Sequence, residues 1–457
     1  MKFEDLHNVY FIGIGGIGMS ALARWFNHMG KSVKGYDRTE TVLTANLQKE
    51  GMEIHFDDSI DLIPEEVKTD KAHTLVVYTP AIPKDHSEWN WLKEEGYEIM
   101  KRSQVLGLIT KNMRSVAVAG THGKTTTSSM VVHLLKSCGI DCAGFLGGIS
   151  ANYNTNMILN DNPDAIAVIE ADEFDRSFLT LYPELAVVTA TDADHLDIYG
   201  DKDALKDSFR QFIKQIVPEG KLFIKNKIAA EVLQDASVEH ALYGFEGEGI
   251  NAKNFKIEKA SFIFDYNGTD HSIEAIQQNV PGYHNVENMI AAISIAKELG
   301  ADDEKIKAAV ASYRGVKRRF EYIIKADTTV FIDDYAHHPV EIEAFLRSVR
   351  DLYPSKKITA IFQPHLFSRT NDFAEGFAKS LSLADELIML DIYPARELPM
   401  PGVTSQMILK DVELDKKEIV SKDTLIDKVK DWGPEVVLTI GAGDIDKLVQ
   451  PLKDALL

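Results

Sequence analysis

Runs of apolar residues alternate along the chain with stretches whose apolar positions recur at helical spacing. Residues 9–14 read as a buried strand and residues 18–29 as the helix after it. "KSVKGYD" reads as a second strand, "HTLVVYTPAIP" as another that ends in a loop, and "KRSQVLGLITKN" as a connecting helix. The pattern restarts at Val116–Ala119, passes a glycine-rich turn, and enters a helix with Met130, Val131, Leu134 and Leu135 on one face. "AIAVIE" and "LAVVTA" follow as apolar strands. From about residue 218 to 280 the chain changes to short alternating stretches, "KLFIKN" and "SFIFDY", with turn-like "EGEG" and "YNGTD" between them, which predicts a small β-rich insertion. "GYHNVENMIAAISIAKELG" returns to a helix ending at Gly300. Beyond "GVKRRFEY" the alternation resumes with "TTVFIDD", "KITAIFQP", "ELIMLDIYP" and "EVVLTIGAG".

Strands that alternate with helices pair in parallel, so the expected class is α/β. At 457 residues and about 150 per domain the chain holds about three domains. We place them at 1–107, 108–316 and 317–457, the first and third Rossmann-like.

Composition narrows the classes of function. Hydrophobic residues at 45% and charged residues at 26% are the balance of a soluble globular protein. The net charge of −20 argues against a nucleic-acid-binding face. Anionic ligands would need local devices: backbone N–H groups, a few Lys or Arg, and Mg²⁺. Cys138 and Cys142 are the only cysteines, which excludes a disulfide framework and suits a reducing cytoplasm. The N-terminus lacks the features of a signal peptide, and no apolar run approaches the roughly 20 residues of a membrane span. The expectation is a cytoplasmic protein with no membrane partner.

Two glycine loops carry the candidate chemistry. "FIGIGGIGMS" fits G-x-G-x-x-G through Gly13, Gly15 and Gly18, and Asp37 follows 19 residues later. Alone, this is a dinucleotide fingerprint and would suggest a dehydrogenase. "GTHGKTTT" is more informative. Gly120, Thr121, His122, Gly123, Lys124, Thr125 and Thr126 lie between a strand and a helix, where backbone N–H groups cradle phosphates. Lys124 would face the β/γ-phosphates, and the Thr125 hydroxyl could ligate Mg²⁺. The loop is shorter than G-x-x-x-x-G-K-[ST], because Val118 stands five residues before Gly123. Glu170 ends an apolar strand, with Asp172 and Glu173 beyond it; a second strand ends in Asp192, Asp194 and His195. Ligands of open α/β sheets gather at such strand ends. "DDYAHHP" and "FQPHLFSRT" occupy strand ends of the third unit, and no Cys or third ligand makes a zinc site of their histidines.

The ordered set "GIGGIGMS", "GTHGKTTT", "EADEFDRSF", "DADHLD", "GYHNVEN", "RRFE", "DDYAHHP" and "QPHLFSRT" resembles the Mur ligase family over essentially the whole chain. "DDYAHHP" with the first glycine loop is similar to its alanine-adding branch. The resemblance implies an ATP- and Mg²⁺-dependent ligase of peptidoglycan precursor synthesis. It would join L-alanine to the lactyl carboxylate of UDP-N-acetylmuramate through an acyl phosphate, as a monomer or homodimer. It turns the first loop from a dinucleotide site into a UDP-sugar site made by Gly15, Gly16, Ile17, Gly18, Met19, Ser20 and Asp37. Lys124 and Thr125 would hold ATP and one Mg²⁺, Glu170 would share that metal, and His195 would serve a second. Asn285 and Asn288 match positions near adenine, Arg319 and Asp334 match nucleotide contacts, and His337 and Arg369 surround the incoming amino acid. The chain departs from better-known members at Leu366, where they carry an Arg of the amino-acid pocket. The resemblance leaves a recycling ligase that adds a stem tripeptide as the nearest rival. A dehydrogenase would leave "GTHGKTTT" idle, and a nucleotide switch would leave the first loop without a role.

Overall fold

The computed structural model describes residues 3–80, 82–192, 199, 201–234, 237–258, 261–395 and 397–457. It divides into two compact units. One comprises residues 1–255, 264–277 and 287–314, and the other residues 256–263, 278–286 and 315–457.

The first unit contains two sheets. The N-terminal one has five strands: β1 (Asn8–Ile12), β2 (Ser32–Tyr36), β3 (Glu53–His55), β4 (Thr74–Tyr78) and β5 (Glu98–Lys101). Their order is β3-β2-β1-β4-β5, all parallel. β1 is buried along its whole length, as its unbroken apolar run requires. Strand order reverses at β1, so the loop after it opens at a switch point, where α/β sheets bind ligands. Helix α1 (Ile17–His28) follows, and helix α2 (Arg102–Asn112) leaves the end of β5, so residue 107 falls inside α2.

The central sheet has β6 (Ser115–Ala119), β7 (Cys142–Phe145), β8 (Met157–Ile158), β9 (Ile166–Ala171), β10 (Leu185–Val188), β11 (Lys221–Lys225) and β12 (Glu239–Tyr243). Their order is β12-β11-β10-β6-β9-β7-β8. Helix α3 (Lys124–Cys138) follows β6 and buries Met130, Val131, Leu134 and Leu135 as its spacing predicts. The β-rich insertion is smaller than its sequence pattern suggests. "KLFIK" forms β11, whose buried centre pairs in parallel with β10. Only β13 (Asn251–Glu258), β14 (Ser261–Asn267) and β15 (Ser272–Gln278) make a separate sheet. A strand buried on both faces needs apolar residues on both, so alternation was a poor guide to where "KLFIK" belongs. Helix α4 (Tyr283–Glu298) follows.

The second unit is built on β16 (Glu321–Lys325), β17 (Val330–Asp334), β18 (Ile358–Phe362), β19 (Glu386–Met389), β20 (Lys416–Ile419) and β21 (Val436–Ile440). The order is β16-β17-β21-β18-β19-β20, with only β16 antiparallel to its neighbour. Helices α5 (Pro339–Leu352) and α6 (Phe367–Leu381) cover it. No helix among the described residues is long and apolar enough to cross a membrane.

Candidate active site

The first glycine loop is held by its own sheet. The amides of Gly13 and Ile14 donate to Tyr36 O at 2.8 and 3.1 Å, and Gly15 N donates to Asp37 Oδ2 at 2.8 Å. A Cβ on Gly15 would lie 2.9 Å from that carboxylate oxygen. Asp37 thus reaches the loop, and its partner there is the loop backbone. Gly16 is the N-cap of α1, so the positive end of that helix is available to an anion. The side chains of Met19 and Ser20 turn away from this end. Met19 is buried in the core. Ser20 Oγ donates to Ile17 O at 2.9 Å and accepts from Asn156 Nδ2 at 3.0 Å. Both side chains point inward, so the reading of Met19 and Ser20 as sugar-nucleotide contacts rests on the backbone of the loop and helix start.

The phosphate loop follows β6. Gly120 has φ +138° and Gly123 φ +80°, and a Cβ on Gly120 would meet Thr189 Oγ1 at 2.0 Å. Both positions therefore require glycine. Thr121 N donates to Ala190 O at 3.0 Å, and Asp192 N donates to Thr121 Oγ1 at 3.1 Å, which ties the loop to the end of β10. Lys124 opens α3 and is turned back: Nζ donates to Gly120 O at 2.7 Å and pairs with Glu173 Oε2 at 2.6 Å. Burial works against the ammonium, but the carboxylates of Glu173, Asp172 and Glu170 outweigh it and hold the Lys124 pKa above its ordinary value. Thr125 is buried at the first turn of α3, while His122 and Thr126 are half-buried. Asn288, on α4, lies against the same loop, its Oδ1 3.0 Å from where a Gly123 Cβ would stand. Asn285 donates to Pro281 O at 2.6 Å. His195 and Asp194 lie outside the described residues.

A cavity of about 100 Å³ lies between the start of α1 and the end of β9. Ile17 and Gly18 of α1, Arg102, Gly147, Glu170 and Asp172 line it. Glu170, one residue before the end of β9, accepts from Gly147 N at 3.0 Å; a Cβ on Gly147 would lie 2.4 Å from its carboxylate, so the missing side chain leaves room for a ligand of Glu170. Arg102 crosses the first turn of α1, with Nη1 only 2.2 Å from where a Gly18 Cβ would stand, and Nη2 lies 3.4 Å from Asp172 Oδ2. Asp175 and Arg176, just beyond, both adopt left-handed backbone (φ +52° and +55°). Such strain persists where the surroundings impose it, often at functional sites. The cavity therefore gathers a helix N-terminus, a guanidinium and two carboxylates.

Sequence reading missed Arg102 and Asn156. Arg102 stands at the C-terminal end of β5, and that strand-end position was the available signal. Asn156 offered none.

The second unit gathers the remaining candidates at the ends of β17 and β18. Asp334 accepts from Phe320 N at 2.7 Å and Ala336 N at 2.8 Å; burial raises its pKa to about 6, against the pull of Arg319. Of the "RRFE" pair, Arg318 is structural: it donates to Asp333 Oδ2 at 3.1 Å and Gly441 O at 2.7 Å. Arg319 lies 5.1 Å from the Tyr335 ring centre. His337 Nδ1 donates to Tyr335 O at 3.0 Å, which fixes the tautomer and leaves Nε2 with the lone pair. Burial lowers its pKa, and Arg369 adds to that against Glu341. His365 packs edge-on against His337 at 6.1 Å and accepts at Nδ1 from Arg369 at 3.2 Å. Burial, His337 and Arg369 bring the His365 pKa down to about 4. Leu366, beside them, has φ +70°, a strained value for a branched side chain.

Comparison with known proteins bears on this site. The Mur ligase family catalytic domain matches residues 8–114, the Mur ligase middle domain residues 118–296, and the Mur ligase glutamate ligase domain residues 318–443. A UDP-N-acetylmuramate–L-alanine ligase of Flavobacterium johnsoniae is 49% identical over 456 residues, covering 100% of this chain and 99% of its own length. The crystal structure of a UDP-N-acetylmuramate–alanine ligase from Thermotoga maritima superposes with a TM-score of 0.81 at 29% identity, covering 98% of each chain. A murein peptide ligase from Psychrobacter arcticus shares the fold, with a TM-score of 0.67 at 22% identity and 98% of each chain covered. With all three domain models matched in order and nearly half of the residues shared with a full-length relative, the chain belongs to the Mur ligase family.

Proposed function

We propose that this chain is an ATP-dependent ligase that joins L-alanine to the lactyl carboxylate of UDP-N-acetylmuramate. The products are UDP-N-acetylmuramoyl-L-alanine, ADP and phosphate, and the reaction belongs to peptidoglycan precursor synthesis in the cytoplasm. The observation that carries the reading is the single cavity shared by the α1 N-terminus, Arg102 and Glu170. It gives a sugar-nucleotide anion and a carboxylate-bearing metal site one common space. The work divides among domains 1–107, 108–316 and 317–457.

The diphosphate of the sugar nucleotide sits at the Gly15–Gly18 turn, with Arg102 alongside. The lactyl carboxylate extends into the cavity and attacks the γ-phosphate of ATP, giving an acyl phosphate and ADP. Gly120 to Thr126 wrap the phosphates, and Lys124 exchanges Glu173 for a phosphate oxygen as charge develops. The Thr125 hydroxyl and the Glu170 carboxylate are hard oxygen donors of the kind Mg²⁺ takes, and the gap at Gly147 leaves Glu170 accessible. When bound, Mg²⁺ supplies positive charge to the phosphate oxygens. Asn285, Asn288, Arg319 and Asp334 serve the nucleotide. Arg369 binds the alanine carboxylate, and Nε2 of His337 takes a proton from its ammonium. The free amine then attacks the acyl carbon and expels phosphate.

The test is phosphate release from ATP and Mg²⁺ with UDP-N-acetylmuramate, comparing L-alanine, glycine, L-serine and the stem tripeptide. Release that needs both the sugar nucleotide and L-alanine supports the reading. Release with the tripeptide alone moves the chain to peptide recycling, and release without any amino acid removes the ligase assignment.

A further inference from the structure

The end of the N-terminal sheet opposite the glycine loop carries a second constellation. β1 and β4 pair in parallel with Asn8 opposite Thr74, so the residues just before them, His7 and His73, emerge side by side. Their backbones are tied together: His7 N donates to His73 O at 2.9 Å, and Ser32 N to His7 O at 2.9 Å. Asp70 ends the short helix Glu65–Thr69 and is held by Thr74 Oγ1, which donates to Asp70 O at 2.7 Å. These backbone bonds bring the three side chains together.

The two imidazoles stack at 4.4 Å with an interplanar angle of 28°, and each presents Nδ1 to the same carboxylate. His7 Nδ1 is 2.6 Å from Asp70 Oδ2, and His73 Nδ1 is 2.7 Å from Asp70 Oδ1. All three donor atoms lie within 4.8 Å of one another. Glu4, Asp5 and Glu98 border the same surface hollow, of about 640 Å³. Among the described residues, two neighbouring cations are occupied: Lys31 Nζ donates to Leu6 O at 2.7 Å, and Lys71 Nζ to Glu95 O.

We infer that His7, Asp70 and His73 form a site for a transition-metal dication of the zinc type, separate from the Mg²⁺-dependent chemistry. Two imidazole nitrogens and one carboxylate oxygen are a donor set suited to Zn²⁺, Ni²⁺ or Cu²⁺, with water completing the shell. In the metal-bound form both Nδ1 lone pairs meet the metal, and each ring carries its proton on Nε2. The N–O contacts widen by about 0.6 Å to reach the spacing of tetrahedral donors. The acidic rim favours a dication over water. β1 has five residues, about 17 Å of strand, so the site stands well clear of the glycine loop.

The test is calorimetric titration of the full-length, chelator-treated protein with Zn²⁺, beside the variants H7A/H73A and D70N. The expected result is one more saturable equivalent in the wild type than in H7A/H73A, and binding at that site about tenfold weaker or worse in D70N. Ligase turnover at saturating Mg²⁺ stays at the wild-type level in both. Equal stoichiometry and affinity in wild type and H7A/H73A overturns the site. Should the double variant fail to fold, electron paramagnetic resonance of Cu²⁺-loaded wild type and H73Q decides. Nitrogen superhyperfine lines that lose one nitrogen in H73Q support the site, and unchanged spectra overturn it.

Discussion

At the scale of single residues, His337, the proposed base, shows how local structure sets which nitrogen can accept a proton. Its Nδ1 proton is committed to Tyr335 O, so Nε2 is the atom that can accept. Burial disfavours the imidazolium, which places its pKa below the ordinary histidine value. The imidazole is therefore neutral at pH 7, and turnover should fall only as pH drops through the lowered pKa. Substituting His337 by Ala is expected to reduce kcat by about 10²-fold and to remove that acidic limb, with KM for ATP little changed. A pH–rate series on both proteins checks this, and an unchanged limb in the variant would assign it to another group. The residue type and its strand-end position were legible in "DDYAHHP"; the tautomer was not, because it depends on a carbonyl orientation. Leu366 is similar: its identity was plain, but its left-handed backbone is set by the turn into α6.

At the scale of elements, glycines at two helix starts separate what sequence can and cannot say. Both loops were readable because the chemistry demands glycine at fixed offsets. What each glycine avoids was not readable. Gly120 has a left-handed φ, and its Cβ would strike Thr189 Oγ1 at 2.0 Å and the Ala190 amide at 2.9 Å. Gly120→Ala is expected to cost roughly 2–3 kcal/mol, visible as a lower midpoint of thermal unfolding. Gly18 is helical, and its Cβ would meet the Arg102 side chain, with Nη1 at 2.2 Å and Cδ and Cζ at 3.0 Å. Gly18→Ala should therefore keep stability within about 1 kcal/mol of wild type. Its effect should be on binding, with KM for UDP-N-acetylmuramate raised about tenfold as Arg102 is displaced; that is ~1.4 kcal/mol of binding energy. Equal KM values would take Arg102 out of the diphosphate site. Arg102 and Asn156 escaped the sequence reading because they act across distance in the chain. Arg102 meets Asp172, and Asn156 meets Ser20 on α1.

At the scale of the molecule, strand–helix alternation was enough to predict three parallel-sheet units. It left short strands such as β3, β5 and β7 unread, put a boundary inside α2, and misplaced the end of the central sheet, because "KLFIK" looks the same on a hairpin as on a buried parallel strand. Charge is where whole and part meet. The chain carries −20, yet the reaction brings a polyanionic nucleotide against a carboxylate. The nearest local cations are already paired: Lys124 with Glu173 at 2.6 Å, and Arg102 with Asp172 at 3.4 Å. Each can move to a phosphate only by leaving a carboxylate bare, so neither adds net positive charge to the site. In the proposed reaction a bound dication supplies the rest, held by the oxygens of Thr125 and Glu170. Chelation should therefore reduce phosphate release to below about 1% of its rate, and added Mg²⁺ should restore it. Thr125→Ala and Glu170→Gln should each raise the Mg²⁺ concentration for half-maximal rate about tenfold, with little change in thermal stability. Full turnover in the chelator would mean that Lys124 and Arg102 do carry the charge, and would remove Thr125 and Glu170 as metal ligands.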